Sequence, residues 1–383
     1  MGFCSAHDDW YHEVLETEAF TVEKDWFSRP GESVLSAMRR RSVPAEVVAN
    51  RLDGGIDEFR GIVAGTIPIC AKAAEVISDT VGGSVRFWLA RQGNYENALA
   101  QAVNAASEDD LDFWLTEVSL PGPKPRGKLS PQFRRAQLEK RLAFFGVSTV
   151  GSWRTRYGNN QKAARFRSSG AHLQHEGATS VWLRQGELEA SIASTERWSP
   201  TALEARITQI RALSKISKPE RFLQPLKKLF AEAGVAFVVL KAPTGCRASG
   251  ASRMVADDKA MVLVSFRHRA DDQFWFTVFH EIGHLLLHDA SPFVDEDETG
   301  EMDPCEREAN EFAANVIVPP NRVPELESIR PNEDAIRRLA VSLGVAPGLI
   351  LGQLEHRQLI NYGRFRSLRR HWTWLQIEGA ASL

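Results

Sequence analysis

The sequence predicts a multidomain protein in which an all-α N-terminal domain precedes a mixed α+β domain. Short amphipathic segments, separated by tight glycine and proline breaks, dominate residues 29–100. Beyond about residue 216, two continuous apolar runs typical of buried strands come before two longer helical patterns. The chain has 383 residues, 43% of them hydrophobic and 25% charged, which is enough for two or three globular domains of ordinary composition.

The first domain is predicted over residues 29–100, after an irregular leader over residues 1–28. Apolar residues at helical spacing predict helices over Gly31–Arg41, Ala45–Leu52, Ile56–Ala64, Ile69–Val81 and Val85–Ala100. Pro68 is placed to start the fourth helix, and Ser84 is predicted to cap the fifth. Short helices joined by tight breaks indicate a small helical bundle.

Residues 101–215 are predicted as a linker and helical connecting region. The stretch Pro121–Arg135 contains four prolines and five basic residues but no acid, a composition that favours a solvated linker over a binding site. The clearest helical patterns after it are Leu138–Phe145 and Ser180–Ile192.

The α+β domain is predicted over residues 216–350, followed by a basic C-terminal tail over residues 351–383. Its predicted strands are Val235–Leu240 and Ala260–Phe266, and its predicted helices are Leu223–Ala233, Asp272–Leu287 and Glu306–Val318. Pro319-Pro320 ends the last helix. This β-β-α-α order is typical of a mixed domain.

Several classes of protein are disfavoured by composition. The net charge of −2 offers no global electrostatic attraction for nucleic acid. Four cysteines lie far apart without a C-x-x-C pair, which disfavours a disulfide framework and fits a reducing cytoplasm. The longest apolar runs fall far short of the roughly 20 residues that a membrane span needs. The N-terminus carries acids and histidines where a signal peptide would be basic and then apolar. We therefore expect a cytoplasmic protein without a membrane partner.

The strongest chemical signal lies in Phe274–His288, which reads FWFTVFHEIGHLLLH. This helix is apolar nearly all round, so His280, Glu281 and His284 must be buried, at a cost of several kcal/mol unless partners satisfy them. His280 and His284 are one turn apart and can meet a single cation. Glu281 lies about 100° round the helix, within reach of a water molecule beside that cation. Two imidazoles and a carboxylate suit Zn²⁺, so the sequence predicts a zinc site.

A third metal ligand is expected from an acid on the next helix. Relative to the apolar stripe of that helix, Glu306 is nearest the edge, Glu308 is further round and Glu311 points away. Glu306 is the predicted ligand and Glu308 the second choice, while stabilisation of a helix N-terminus remains the alternative role for either acid. His288 lies about 12 Å along the helix from His280, too far to share one ion with both histidines.

The run FWFTVFHEIGHLLLH, followed by EREANEFAANVIVPP, resembles the ImmA/IrrE family of bacterial metallopeptidases over residues 217–350. This resemblance implies a zincin-like fold with zinc held by His280, His284 and Glu306. It implies that Glu281 is the catalytic base of an HExxH-type endopeptidase. It also implies a protein substrate, best exemplified by repressors that control DNA-damage or mobile-element genes.

Residues 30–99 resemble a HigA-like antitoxin helix-turn-helix of the Xre class. The matching residues are Pro30-Gly31-Glu32, Val48-Ala49, Leu52, Phe59, Ile62, Val63, Gly65, Phe87-Trp88-Leu89, Gln92 and Asn94-Tyr95. The resemblance implies that the third helix enters the DNA major groove, with Arg51, Asp57, Glu58 and Arg60 as candidate contacts. However, residues 29–100 carry nine basic and eight acidic residues, a weak basis for phosphate binding. A helical bundle used for dimerisation or protein contact is the alternative.

Three functions follow from these features. The leading hypothesis is a regulatory zinc endopeptidase, coupled to a transcription-regulator module, that cleaves a repressor or a toxin-antitoxin-linked protein. The alternative is a DNA-binding antitoxin whose metallopeptidase-like domain senses a ligand or partner without proteolysis. A third is a scaffold bound to a toxin. An intact Glu281 favours the endopeptidase, because a structural zinc site needs no general base. Double-stranded DNA and a second copy of the chain remain open as partners.

Overall fold

Helices dominate the computed structural model of the protein, which describes residues 27–122, 129–157, 170–288, 293–294 and 304–381. One small mixed sheet lies in the second half of the chain. Most of the predicted leader, residues 1–26, lies outside the described residues, as do residues 123–128 of the predicted linker.

The N-terminal region folds as α1 (Pro30–Arg41), α2 (Ala45–Ala49), α3 (Gly55–Ala64), α4 (Ala71–Val81) and α5 (Val85–Ala105). The Ser84 hydroxyl accepts a hydrogen bond from the backbone N–H of Phe87 at 3.1 Å, which confirms the predicted cap. The helix start predicted at Pro68 is wrong, because Cys70 occupies the N-cap of α4. Helix α5 continues beyond its predicted end at Ala100, since neither glycine nor proline interrupts the residues up to Ala105.

The connecting region is helical over most of its described length, as α6 (Glu108–Thr116), α7 (Pro131–Phe145), α8 (Val150–Tyr157), α9 (Gly170–Ile192) and α10 (Pro200–Leu213). The linker prediction is wrong at its C-terminal end, because α7 begins at Pro131. The Ser130 hydroxyl caps α7 by accepting the backbone N–H of Phe133 at 3.2 Å. Proline at the first helical position needs no N–H partner and has a φ suited to a helix.

The second half of the chain carries the sheet and the remaining helices. Its elements are α11 (Pro219–Ala231), β1 (Val235–Val239), β2 (Gly250–Ala256), β3 (Lys259–Val264), α12 (Asp271–Leu287), β4 (Phe293–Val294), α13 (Pro304–Ile317), α14 (Val323–Glu327), α15 (Glu333–Leu343), α16 (Pro347–His356) and α17 (Trp374–Ala381). Short 3₁₀ turns cover Pro320–Arg322 and Arg366–Leu368.

The strand order in the sheet is β1-β3-β2-β4. Strands β1 and β3 are parallel, with Val235 opposite Ala260, whereas β2 is antiparallel to both β3 and β4. Sequence analysis predicted β1 and β3 but missed β2. The reason is that GASRMVA is rich in small residues and contains one β-branched residue, so it lacks a strong strand pattern.

The two faces of the sheet are covered by different helices. Trp182 and Leu183 of α9 pack with Ala251, Met261 and Leu263 on one face. Helix α12 packs against β2 and β3 on the other face, within the largest hydrophobic core. Successive residues of a strand point to opposite faces of the sheet, so one set of side chains contacts α9 and the other contacts α12. These contacts hold α12 in place on the sheet.

Helices α12 and α13 approach each other closely at Gly283. A Cβ atom added at Gly283 would lie 3.2 Å from the Cα atom of Ala309 and 3.2 Å from a ring carbon of Phe312. A side chain at this position would require the backbone of α13 or the Phe312 ring to move by a few tenths of an ångström, so glycine favours this close approach. This close packing brings the start of α13 beside the histidines of α12.

The region predicted as a basic C-terminal tail folds against the start of α12. The guanidinium of Arg369 pairs with Asp272 at 2.8 Å and with Glu355 at 2.6 Å, and all three side chains are buried. Asp271 Oδ1 accepts the backbone N–H of Arg370 at 3.0 Å. Two of the arginines in the basic run therefore anchor α12, while α17 packs against α11.

Asp271 should make stability depend on pH. Burial and the neighbouring Asp272 raise its pKa to about 6, whereas Asp in an unfolded chain titrates near 3.9. The folded state therefore binds this proton more tightly, so the contribution of Asp271 to the free energy of unfolding falls as pH rises from about 4 to 6.

In Asp271→Asn the amide oxygen can still accept the N–H of Arg370, and the pH-dependent loss should disappear. Urea denaturation should show the variant gaining stability relative to wild type between about pH 4 and 7. The exposed Asp334→Asn is the matched control. A difference between Asp271→Asn and wild type that stays constant over this range would contradict the prediction.

In the described part of the chain, no helix taken singly has the length and apolar composition needed to cross a membrane. Among the described helices, α15 and α16 taken together meet that test by length and composition, as a pair bent by 109°.

Candidate metal centre

Three polar side chains lie in the buried surface of α12. His280 and His284 are each 1% exposed, and Glu281 is completely buried. The surrounding sequence is aromatic and aliphatic, so packing against the sheet and α13 encloses these groups. Polar groups at such depth require partners, and the neighbouring helix supplies one for the two histidines.

Glu306, in the first turn of α13, lies beside both histidines. Its Oε2 is 3.2 Å from Nε2 of His280, and its Oε1 is 3.5 Å from Nε2 of His284. The two Nε2 atoms are 2.9 Å apart. Ligand atoms about 2.0–2.1 Å from a tetrahedral zinc ion are separated by about 3.3 Å. The spacing of these three groups therefore fits a small cation between them, and the group could hold a metal.

The titration behaviour of these groups suits metal ligands. Burial opposes ionisation of Glu306, but contacts with His280 and His284 lower its pKa to about 2. Burial also lowers the pKa of the His284 imidazole, which favours its neutral form. Metal binding requires a charged carboxylate and neutral imidazoles, so both shifts favour the forms that bind a metal.

The outer nitrogens of the histidines are also engaged. Nδ1 of His280 lies 3.0 Å from Oδ1 of Asn310 on α13. Nδ1 of His284 lies 3.1 Å from Nδ1 of His288, whose Nε2 is 3.1 Å from Oε2 of Glu308. The structure thus places Glu308 beside His288 rather than between the two predicted ligands. Sequence analysis did not identify Asn310.

Glu281 packs against the start of β2. A Cβ atom added at Gly250 would lie 2.6 Å from Cγ2 of Thr277 and closer still to Oε1 of Glu281. Gly250 therefore leaves the space in which the Glu281 carboxylate sits. Sequence analysis missed Gly250, because nothing in the local pattern distinguished this glycine from one in a loop.

A cleft of about 790 Å³ adjoins this group, between β2 and the C-terminal half of α12. Its lining includes Trp198, Ser252, Arg253, Asp257, His284 and His288. Strand β4 pairs with Ala251 and Ser252 alone, so within the described ranges the rest of this edge of β2 has no strand partner. The cleft is large enough for several residues of an extended peptide.

The candidate DNA-contacting residues lie elsewhere, on the N-terminal helices. Arg51 contacts Asp79 at 3.1 Å, and Arg60 contacts Asp57 at 3.1 Å and Glu189 of α9 at 3.4 Å. Glu58 accepts the backbone N–H of Gly54 at 2.8 Å. Both arginines are thus paired with acids of this chain, and their contact with DNA stays a prediction.

Comparison with known proteins identifies a related domain in the second half of the chain. Residues 238–352 match the family model described as the IrrE N-terminal-like domain, Peptidase M78. The matched segment runs from β1 to α16 and contains the two histidines, Glu281 and Glu306. No curated protein matches the chain. The match supports a peptidase of the metallo type, which requires a metal, and zinc suits the His280, His284 and Glu306 group.

Proposed function

We propose that this protein is a zinc-dependent endopeptidase that cleaves an extended segment of a protein substrate. The observation that carries the proposal is the convergence of His280, His284 and Glu306 beside the buried Glu281, next to an open cleft. The match of this segment to a peptidase family supports the same reaction class.

The chain supplies the binding and proton-transfer groups of peptide hydrolysis. When bound, zinc supplies a Lewis acid that polarises a peptide carbonyl and increases the acidity of water. Glu281 takes the proton from the attacking water and then delivers it to the amine that leaves. Its buried position, without bulk water around it, fixes the carboxylate for this transfer.

The cleft supports a substrate in extended conformation. A peptide segment in the cleft can lie alongside residues 253–256, the part of β2 to which the described residues of β4 do not pair, in the way that peptides add to a sheet edge. Such main-chain binding places a carbonyl group near the histidines without requiring a particular side chain. An internal segment fits this arrangement, which is why we propose an endopeptidase.

The test uses the zinc-loaded full chain and a peptide library prepared from a digested bacterial proteome. Mass spectrometry should detect new termini inside the peptides, and 1,10-phenanthroline should abolish cleavage until zinc is restored. Failure of the zinc-loaded protein to cleave any peptide or co-expressed repressor would overturn the endopeptidase proposal. The sensor or partner-binding function would then be favoured.

We further propose that the substrate is a repressor or a toxin-linked protein and that the N-terminal helices regulate its cleavage. Helix α9 contacts both parts of the chain: Leu188 and Ile192 pack against the N-terminal core, while Trp182 packs on the sheet. The Arg60–Glu189 pair lies at the same junction. A partner bound to the N-terminal helices could therefore act on the sheet through α9.

DNA is proposed as a weak partner of residues 29–100, bound usefully by a homodimer or with another protein. Because Arg51 and Arg60 are paired with acids, few phosphates would be neutralised. A mobility-shift series on the DNA upstream of the gene should show a salt dependence equal to roughly two to four contacts per module. Tight binding by the full chain with a steep salt slope would contradict this expectation.

A further inference from the structure

We propose that His288 and Glu308 form a positioning pair for the metal ligand His284. The pair aligns the His284 ring toward the metal through the ring nitrogen that the metal does not use. This inference rests on the metal site of the proposed function, but it concerns metal affinity rather than peptide cleavage.

A metal held at Nε2 of His284 would determine the hydrogen positions along this series of side chains. Nε2 of His284 points toward Glu306 and His280, so this nitrogen supplies the lone pair for a metal. Its Nδ1 then carries the hydrogen and donates to Nδ1 of His288 at 3.1 Å. Nε2 of His288 carries the remaining hydrogen and donates to Oε2 of Glu308 at 3.1 Å. The two rings and the carboxylate thus form one directed series of hydrogen bonds.

These contacts give His288 a positioning role. They disfavour two other roles for it, as a metal ligand and as a group that stabilises a substrate oxyanion. It sits at the C-cap of α12, one turn beyond His284, and its Nδ1 faces the outer side of that ligand rather than Glu306. Both of its ring nitrogens are already in hydrogen bonds, which leaves neither to stabilise a substrate oxyanion. The His288 side chain is 7% exposed, so its ring is held by packing as well as by these bonds.

His280 also has a hydrogen-bond partner for its outer ring nitrogen, and this partner lies on α13. Oδ1 of Asn310 accepts from Nδ1 of His280 at 3.0 Å, so α13 supplies the ligand Glu306, the outer partner of His280 and, in Glu308, the partner of His288. Outer hydrogen bonds of this kind orient an imidazole and increase its basicity, and their loss typically lowers metal affinity about 10- to 100-fold. We expect an effect of this size from the loss of the His288 acceptor.

The experiment measures zinc affinity by competition with a chromogenic chelator and records the visible spectrum of the Co²⁺-substituted full chain. His288→Ala should weaken zinc binding about 10- to 100-fold and shift the cobalt bands. His288→Asn keeps an acceptor oxygen where Nδ1 lies and should restore most of the affinity. Glu308→Gln should weaken binding less, because Glu308 is 60% exposed. Glu311→Gln, an exposed change on α13, is the matched control.

Thermal unfolding of the metal-free variants separates positioning from folding. Wild-type affinity and an unchanged cobalt spectrum in His288→Ala would overturn the inference while leaving the proposed peptidase intact. Equal losses in His288→Ala and His288→Asn, with lowered metal-free stability, would also overturn it in favour of simple packing. A wild-type chain that binds no zinc would overturn the metal site and this inference together.

Discussion

Glu281→Gln is expected to lower the rate of peptide cleavage at least about 10²-fold while leaving zinc bound. Glutamine fills the same buried volume as Glu281 but cannot take a proton from water. The ligands His280, His284 and Glu306 are unchanged, so the metal content should not fall. Steady-state cleavage of a peptide identified from the library, together with zinc analysis of the same sample, measures both quantities.

Glu311→Gln is the control for this change, because it makes the same chemical replacement at an exposed position on the neighbouring helix. It should cleave at the wild-type rate. Equal cleavage by wild type and Glu281→Gln would show that Glu281 is not the base. A loss of zinc in Glu281→Gln would show instead that this side chain holds the metal.

Gly250→Ala is expected to lower the rate of peptide cleavage by displacing the Glu281 carboxylate, which packs against the start of β2. The added methyl group would overlap Cγ2 of Thr277 and Oε1 of Glu281, so the carboxylate must move. A displacement of about 1 Å in a catalytic group can reduce the rate about 10²-fold. The metal ligands lie on other elements, so zinc affinity should stay close to that of wild type.

Gly93→Ala provides the matched control, because a Cβ atom at this position in α5 meets no atom within 4 Å. It should leave cleavage unchanged and stabilise α5 slightly, because alanine has a higher helix propensity than glycine. Full activity in Gly250→Ala, with normal thermal unfolding, would contradict the assigned position of Glu281. A variant that fails to bind zinc would indicate a wider distortion of the sheet.

The helix that carries the candidate site was predictable from the sequence, whereas its surroundings were not. An apolar helix with His280 and His284 one turn apart has few chemical explanations, and the stripe of the next helix indicated Glu306. The weak strand pattern of β2 concealed Gly250, whose role depends on a tertiary contact with Glu281. Asn310 was missed for the same reason, because an amide on a helix carries no sequence signal of a histidine partner.

The ion-pair partners of charged residues were also beyond what the sequence could predict. Sequence analysis named Arg51 and Arg60 as candidate DNA contacts, but it could not show their partners Asp79 and Glu189. Arg369 likewise belonged to a basic run in the sequence, yet it is buried between Asp272 and Glu355. Pairing between distant segments decides whether such charges are available, and composition does not report it.

Elemental analysis of the purified full chain shows whether His280, His284 and Glu306 hold one zinc ion. Wild type should contain about one zinc per chain, as a single three-ligand site requires. His284→Ala should contain almost none, while Glu311→Gln should match wild type. Retention of full zinc by a folded His284→Ala protein would contradict the ligand assignment.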